Sequence, residues 1–185
     1  MKKIILIGGV AGTGKTSMAR TICNDYNIDH RLGTGFIREI VKTETYSPSL
    51  NSHTYRVSCQ QSYNHLVNQA ELLKDSIVAC IDRAMREGTS LVIEGNHLIP
   101  WILFDSEALK YLKRKGTLKC FILYVDDPKK HRKMVEGDTH KTRGISDEEF
   151  GRIIEMQESL MFLAKKYKIP VIKAGDYEKV KKLLE

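Results

Sequence analysis

Gly9-Val10-Ala11-Gly12-Thr13-Gly14-Lys15-Thr16 has the spacing G-x-x-x-x-G-K-[ST]. The chemistry this predicts is the holding of a triphosphate. Glycines let the backbone curl until successive N–H groups face anionic oxygens, and the helix that follows adds its positive end. Lys15 would reach the β- and γ-phosphates, and the Thr16 hydroxyl would ligate Mg²⁺. The predicted ATP-binding set is therefore Gly9, Val10, Ala11, Gly12, Thr13, Gly14, Lys15, Thr16 and Ser17. A dinucleotide fingerprint would read G-x-G-x-x-G, whereas this loop reads G-x-x-G-x-G and runs into Lys-Thr.

A phosphate loop leaves GTPase, ATPase and kinase open. No N-K-x-D guanine reader is present. A kinase further needs a second anion site, a group that orients the acceptor, and cations that cover the transferred phosphoryl. Thr34 and, one helical turn on, Arg38 are candidates for the acceptor side, the guanidinium gripping a phosphate or carboxylate through two bonds. His53 and His97 are candidates for further acceptor contacts. Glu94 ends an apolar run, where a carboxylate can hold Mg²⁺ or orient a hydroxyl. Arg132, Lys141 and Arg143 flank or occupy a polar, glycine-bounded segment, residues 137–144, that would close over the triphosphate. Lys15, Glu94, Arg132 and Arg143 form the predicted catalytic set, with Thr16 and Glu94 at the metal. No two of the six histidines stand four apart, which argues against a helix-borne metal pair.

The elements that must position these residues alternate. Short apolar runs at 3–7, 29–32, 90–95, 118–125 and 170–172 read as strands. Helical patterns lie between them, at 17–26, 35–42, 58–87, 104–114, from Asp127-Pro128 onward, 146–167 and 176–184. Gly88 stands where a C-terminal cap belongs, and Ser146 to Glu149 has the look of a capping box. Such alternation predicts an α/β fold: a three-layer α/β/α sandwich on a five-stranded parallel sheet, with a small flap at about 137–144. The expected organisation is one domain over 1–185.

With 42% hydrophobic residues, the chain has material for a well-buried core. The N-terminal apolar run is too short for a signal core or a membrane span, so a cytoplasmic protein without membrane contact is expected. Cys23, Cys59, Cys80 and Cys120 are scattered and suggest neither disulfides nor zinc. The net charge of +7 suits an anionic substrate, nucleic acid or a solvated lysine-rich surface, but no basic run interleaved with stacking aromatics marks a nucleic-acid groove.

Together the segments Ile7 to Thr16, Ile37-Arg38-Glu39, Ser52-His53-Thr54-Tyr55 and Ile93-Glu94-Gly95-Asn96-His97-Leu98-Ile99-Pro100 resemble the 2-phosphoglycerate kinase family of P-loop kinases. The resemblance implies a nucleoside-monophosphate-kinase-like sheet, and transfer of the ATP γ-phosphoryl to 2-phosphoglycerate, giving 2,3-bisphosphoglycerate. It also implies that the Lys173 to Asp176 loop flanks the adenine. Two departures matter. Family members often carry an N-terminal nucleotide-sensing domain, whereas here the loop lies close to Met1, so that regulation is not expected. The family's Thr-Asp after the second strand is Thr34-Gly35 here, which is similar to the Thr-Gly-x-x-Arg of adenylate kinases. Acceptors are thus a small anionic hydroxy compound or a nucleotide. An RNA-associated NTPase or RNA-end kinase is the reading from a different class.

Overall fold

Every position of the N-terminal apolar run is buried in β1 (Ile4–Gly8), the pattern of a strand covered on both faces. The computed structural model describes residues 2–101, 107–115, 117–137 and 144–185. β1 is the centre of a five-stranded sheet with β2 (His30–Gly33), β3 (Leu91–Glu94), β4 (Leu118–Tyr124) and β5 (Val171–Lys173). The order is β2-β3-β1-β4-β5, and each pairing is parallel. The helices are α1 (Lys15–Tyr26), α2 (Thr34–Thr45), α3 (Cys59–Glu87), α4 (Glu107–Arg114), α5 (Pro128–Glu136), α6 (Asp147–Lys166) and α7 (Tyr177–Leu184).

Side chains alternate across a strand, and the core divides accordingly. Ile4 and Leu6 face the layer of α2 to α6, among them Leu66, Leu73 and Ile77 of α3. Ile5 and Ile7 face α1 and α7, against Ile22 and Val180. The three-layer α/β/α architecture is therefore as the alternation predicts. No helix among the described residues is long and apolar enough to cross a membrane.

Local chemistry sets the ends. Gly88 takes a left-handed conformation (φ 66°) and donates its N–H to Ala84 and Met85, stopping α3 where expected. Asp127 caps α5 by accepting from the N–H groups of Lys129 and Lys130, with Pro128 at the first position. Ser146 and Glu149 form the reciprocal capping box that opens α6. α2 is longer than 35–42: it begins on Thr34, after the extended Gly33, and runs to Thr45 before left-handed Tyr46 ends it. The segment after it is built of two 3-10 turns, Pro48–Leu50 and Thr54–Arg56. The expected helix at 104–114 is described from Glu107 only. Most of the expected flap, including Lys141 and Arg143, lies outside the described residues.

Because the strands are parallel, their carboxyl ends share one edge, where ligands of open α/β sheets bind. Gly8, Gly33 and Glu94 meet there: Glu94 pairs with Ile7 on one side and with Gly33 on the other.

Candidate active site

The phosphate loop leaves β1 at this edge and enters α1 through Gly14, whose carbonyl accepts from the Met18 N–H at 2.9 Å. Thr13, fully buried, donates its hydroxyl to the Val10 carbonyl at 3.0 Å and pins the loop from within. Lys15 lies across the same curl: its Nζ donates to Val10 O at 2.6 Å and stands 3.5 Å from Thr13 Oγ1. An incoming phosphate would exchange these neutral partners for anionic ones, which make stronger bonds. From outside, α5 braces the loop. His131 Nε2 donates to Ala11 O at 2.8 Å, and a side chain at Gly12 (φ 74°) would come within 2.9 Å of the Val135 nitrogen. Burial pushes the His131 ring below its ordinary pKa, so it donates from the neutral form.

Thr16 and Glu94 are 78 positions apart in sequence, yet the Thr16 hydroxyl donates to Glu94 Oε1 at 2.9 Å. β3 delivers the carboxylate beside the first turn of α1 because β3 and β1 are neighbours in the sheet. Both are hard-oxygen donors, Thr16 exposed and Glu94 half-buried. That set suits Mg²⁺, which takes one or two protein ligands and completes its shell with water and substrate phosphates.

Thr34 and His97 lie deeper than direct acceptor contacts would. Thr34 is fully buried and His97 is 1% exposed. His97 Nδ1 is 2.8 Å from Thr34 Oγ1, and its Nε2 is 2.9 Å from Gln69 Oε1. An amide oxygen only accepts, so Nε2 carries the hydrogen and Nδ1 accepts from the Thr34 hydroxyl. His97 therefore sits behind the site wall and holds it. Its pKa is pushed down to about 3, first by burial and then by the positive charges of Arg38, Lys15 and His65. Arg38 of α2 and Lys15 of the phosphate loop thus both act on this one ring. Arg38 is mostly covered, with its guanidinium on Glu39 at 2.7 Å. His53 stacks on Tyr55 with ring centroids 5.5 Å apart.

Arg132 departs from its expected place over the phosphates. Its guanidinium bonds Glu136 at 2.9 Å, the Ile145 carbonyl at 3.2 Å and the Asp147 carboxylate. It thus ties α5 to the start of α6, across the two ends of the 138–143 segment. The reason is partly local and partly tertiary: Glu136 is one turn away, and the packing of α6 beside α5 brings Asp147 of its first turn within reach.

Three contributors escaped the sequence reading. Gln69 and His131 are fully buried, and Arg152 is 7% exposed. Arg152 donates to Tyr55 O and to Glu148, both at 2.7 Å, fixing the Thr54–Arg56 turn on α6. A polar residue on an apolar stripe, as Gln69 is between Leu66 and Leu73, was the available signal. On the expected adenine side, Lys173 pairs with Asp126 at 2.6 Å, joining the ends of β5 and β4.

No family model matches the sequence. Curated relatives do. The 2-phosphoglycerate kinase of Methanothermobacter thermautotrophicus is 29% identical over 142 residues, 70% of this chain and 45% of its own length. That of Methanocaldococcus jannaschii is 29% identical over 181 residues, 91% of this chain and 57% of its own length. The chain thus spans about half the length of these relatives. The mevalonate-3-phosphate 5-kinase of Thermoplasma acidophilum is 26% identical over 142 residues, 72% of this chain and 67% of its own length. Among solved structures, shikimate kinase from Acinetobacter baumannii in complex with shikimate has a TM-score of 0.54 at 11% identity, covering 100% of this chain and 91% of that one. At that identity the likeness concerns the fold. By its phosphate loop and its parallel sheet the chain has the α/β fold expected of it, and in sequence it is similar to these 2-phosphoglycerate kinases.

Proposed function

We propose that the chain transfers the γ-phosphoryl group of ATP to a hydroxyl of a small anionic acceptor, with 2-phosphoglycerate the first candidate. The observation that carries this reading is the Thr16–Glu94 contact at 2.9 Å, beside Lys15 and at the carboxyl edge of the sheet. In this reading the two oxygens serve as a metal-binding pair next to the phosphate loop. Lys15 and the loop amides hold the β- and γ-phosphates, while Arg38 receives the acceptor's anionic group. Thr16 and Glu94 would hold Mg²⁺, which would supply positive charge to the phosphates of ATP. During transfer the bond from the γ-phosphorus to its bridging oxygen breaks, a bond to the acceptor oxygen forms, ADP leaves, and the hydroxyl proton is released. Arg143 is the flap cation in this scheme.

The names of the relatives support the acceptor class. Both 2-phosphoglycerate and mevalonate 3-phosphate are phosphorylated hydroxy acids, and Arg38 offers the kind of fork that such anions match. An ADP-release assay with 2-phosphoglycerate, mevalonate 3-phosphate and nucleoside monophosphates as alternative acceptors tests the proposal. Turnover with a phosphorylated hydroxy acid is expected. Turnover confined to a nucleoside monophosphate, or ATP hydrolysis stimulated only by RNA ends, would overturn it.

A further inference from the structure

Gln69 projects from the middle of α3 and is fully buried, so it touches no substrate. Its amide nevertheless joins three separate pieces of the acceptor side. Nε2 donates to the carbonyls of Ser49 at 2.5 Å and Ser52 at 2.9 Å. Those two carbonyls fix which end of the amide is nitrogen, since they can only accept. Oε1 then accepts from His97 Nε2 at 2.9 Å, and His97 Nδ1 accepts from Thr34 at 2.8 Å. His65, one turn before Gln69 on α3, adds a side branch: its Nε2 is 3.1 Å from both Ser52 Oγ and Gln69 Nε2.

Each branch ends on a wall of the site. Thr34 opens α2, the helix that carries Arg38 one turn later. His97 belongs to the loop that follows Glu94, and this loop is pressed so tightly on α2 that a side chain at Gly95 would overlap Thr34. Ser49 and Ser52 belong to the segment that carries His53. Asn96 adds a second tie from the loop to that segment, donating to Thr54 Oγ1 at 3.3 Å. Among the described residues the hydrogen bonds of this hub run to the acceptor-side segments named above.

We propose that Gln69 is the positioning residue of the acceptor side: through one amide it fixes α2, the loop after β3 and the Ser49–Ser52 turn relative to one another. The role rests on the reading of these walls as the acceptor site. Buried amide bonds of this kind are costly to leave unmade, so losing the hub loosens the walls it joins and spares the phosphate loop.

The test compares Gln69→Met, close in volume but without hydrogen-bonding groups, with Gln69→Glu, which keeps an oxygen for His97 but loses both donors. In Gln69→Met the KM for the anionic acceptor should rise about tenfold or more, with the KM for ATP within about twofold of wild type. Hydrogen exchange of the unliganded protein should quicken about tenfold at the amides of residues 36–38 and 50–54, and stay unchanged at 12–18. Gln69→Glu should loosen 50–54 while 36–38 stay protected, and it decides the matter if the Met variant does not fold. Equal rises in both KM values, or loosening that reaches 12–18, would overturn the proposal, as would unchanged exchange in a folded variant. If wild type phosphorylates no anionic acceptor, the proposed reaction fails, and the exchange pattern alone decides whether Gln69 orders these walls.

Discussion

His97 is a histidine that the fold keeps neutral. Burial, helped by Arg38, Lys15 and His65, pushes it down to about 3, against about 6.5 for a free side chain. The unfolded chain therefore binds a proton below pH 6.5 that the folded chain refuses. The resulting stability is fully present above that pH and drains away as pH falls toward 3, at up to about 1.4 kcal/mol per pH unit. Denaturant unfolding at pH 7 and pH 5 should show the loss, and His97→Gln should flatten part of the slope. His131, shifted in the same direction by burial, adds to the slope. The His97 ring proton resonances should stay constant from pH 8 to 5; titration near 6.5 would refute the buried, doubly bonded placement. Glu94 belongs to the same scale. Glu94→Gln removes a charge from the oxygen pair at Thr16, so the Mg²⁺ concentration for half-maximal activity should rise about tenfold to a hundredfold. An unchanged Mg²⁺ titration would remove Glu94 from the metal shell.

α5 is the element with two attachments. One end of its contact surface braces the phosphate loop through His131 and Val135, and Arg132 on the same helix fastens Asp147 and the Ile145 carbonyl. The helix thus links the phosphate loop to the start of α6. An arginine that touches the transferred phosphoryl contributes ~10³-fold or more to turnover. A side chain engaged with Glu136, Ile145 and Asp147 contributes less, so Arg132→Ala should lower kcat only about tenfold, with nucleotide affinity near wild type. Asp147→Ala should reproduce that loss, and the double variant should add little to either, since the two side chains share one bond. Steady-state kinetics of the three variants check this. A thousandfold loss in Arg132→Ala with none in Asp147→Ala would return Arg132 to the phosphates. The fold of this region was legible in sequence through Asp127-Pro128 and the Ser146–Glu149 box, because caps are satisfied within a few residues. The destination of the Arg132 side chain was not, since it depends on how two helices come together.

Across the whole molecule, a formal charge of +7 should draw in an anionic acceptor. The expected sign is a fall in kcat/KM for the acceptor as salt rises, with kcat nearly constant, because screening acts on encounter more than on chemistry. Measurements between low and physiological salt check it; a salt-independent kcat/KM would confine the positive charge to a solvation role. The amino-acid sequence by itself determined the phosphate loop, the strand and helix alternation and the placement of Glu94 at a strand end, since each depends on residues close together in the chain. Arg38, the cation proposed here for the acceptor, was singled out only by its spacing to Thr34. Only the tertiary structure decided that Thr16 meets Glu94, that His97 and Thr34 stand behind the wall, and that Gln69 joins that wall to two others. Those outcomes depend on β3 lying between β1 and β2 and on α3 packing beneath both loops. A buried polar side chain is specified by the groups that surround it, and for Gln69 these come from Ser49, Ser52 and His97, up to 28 residues away in sequence.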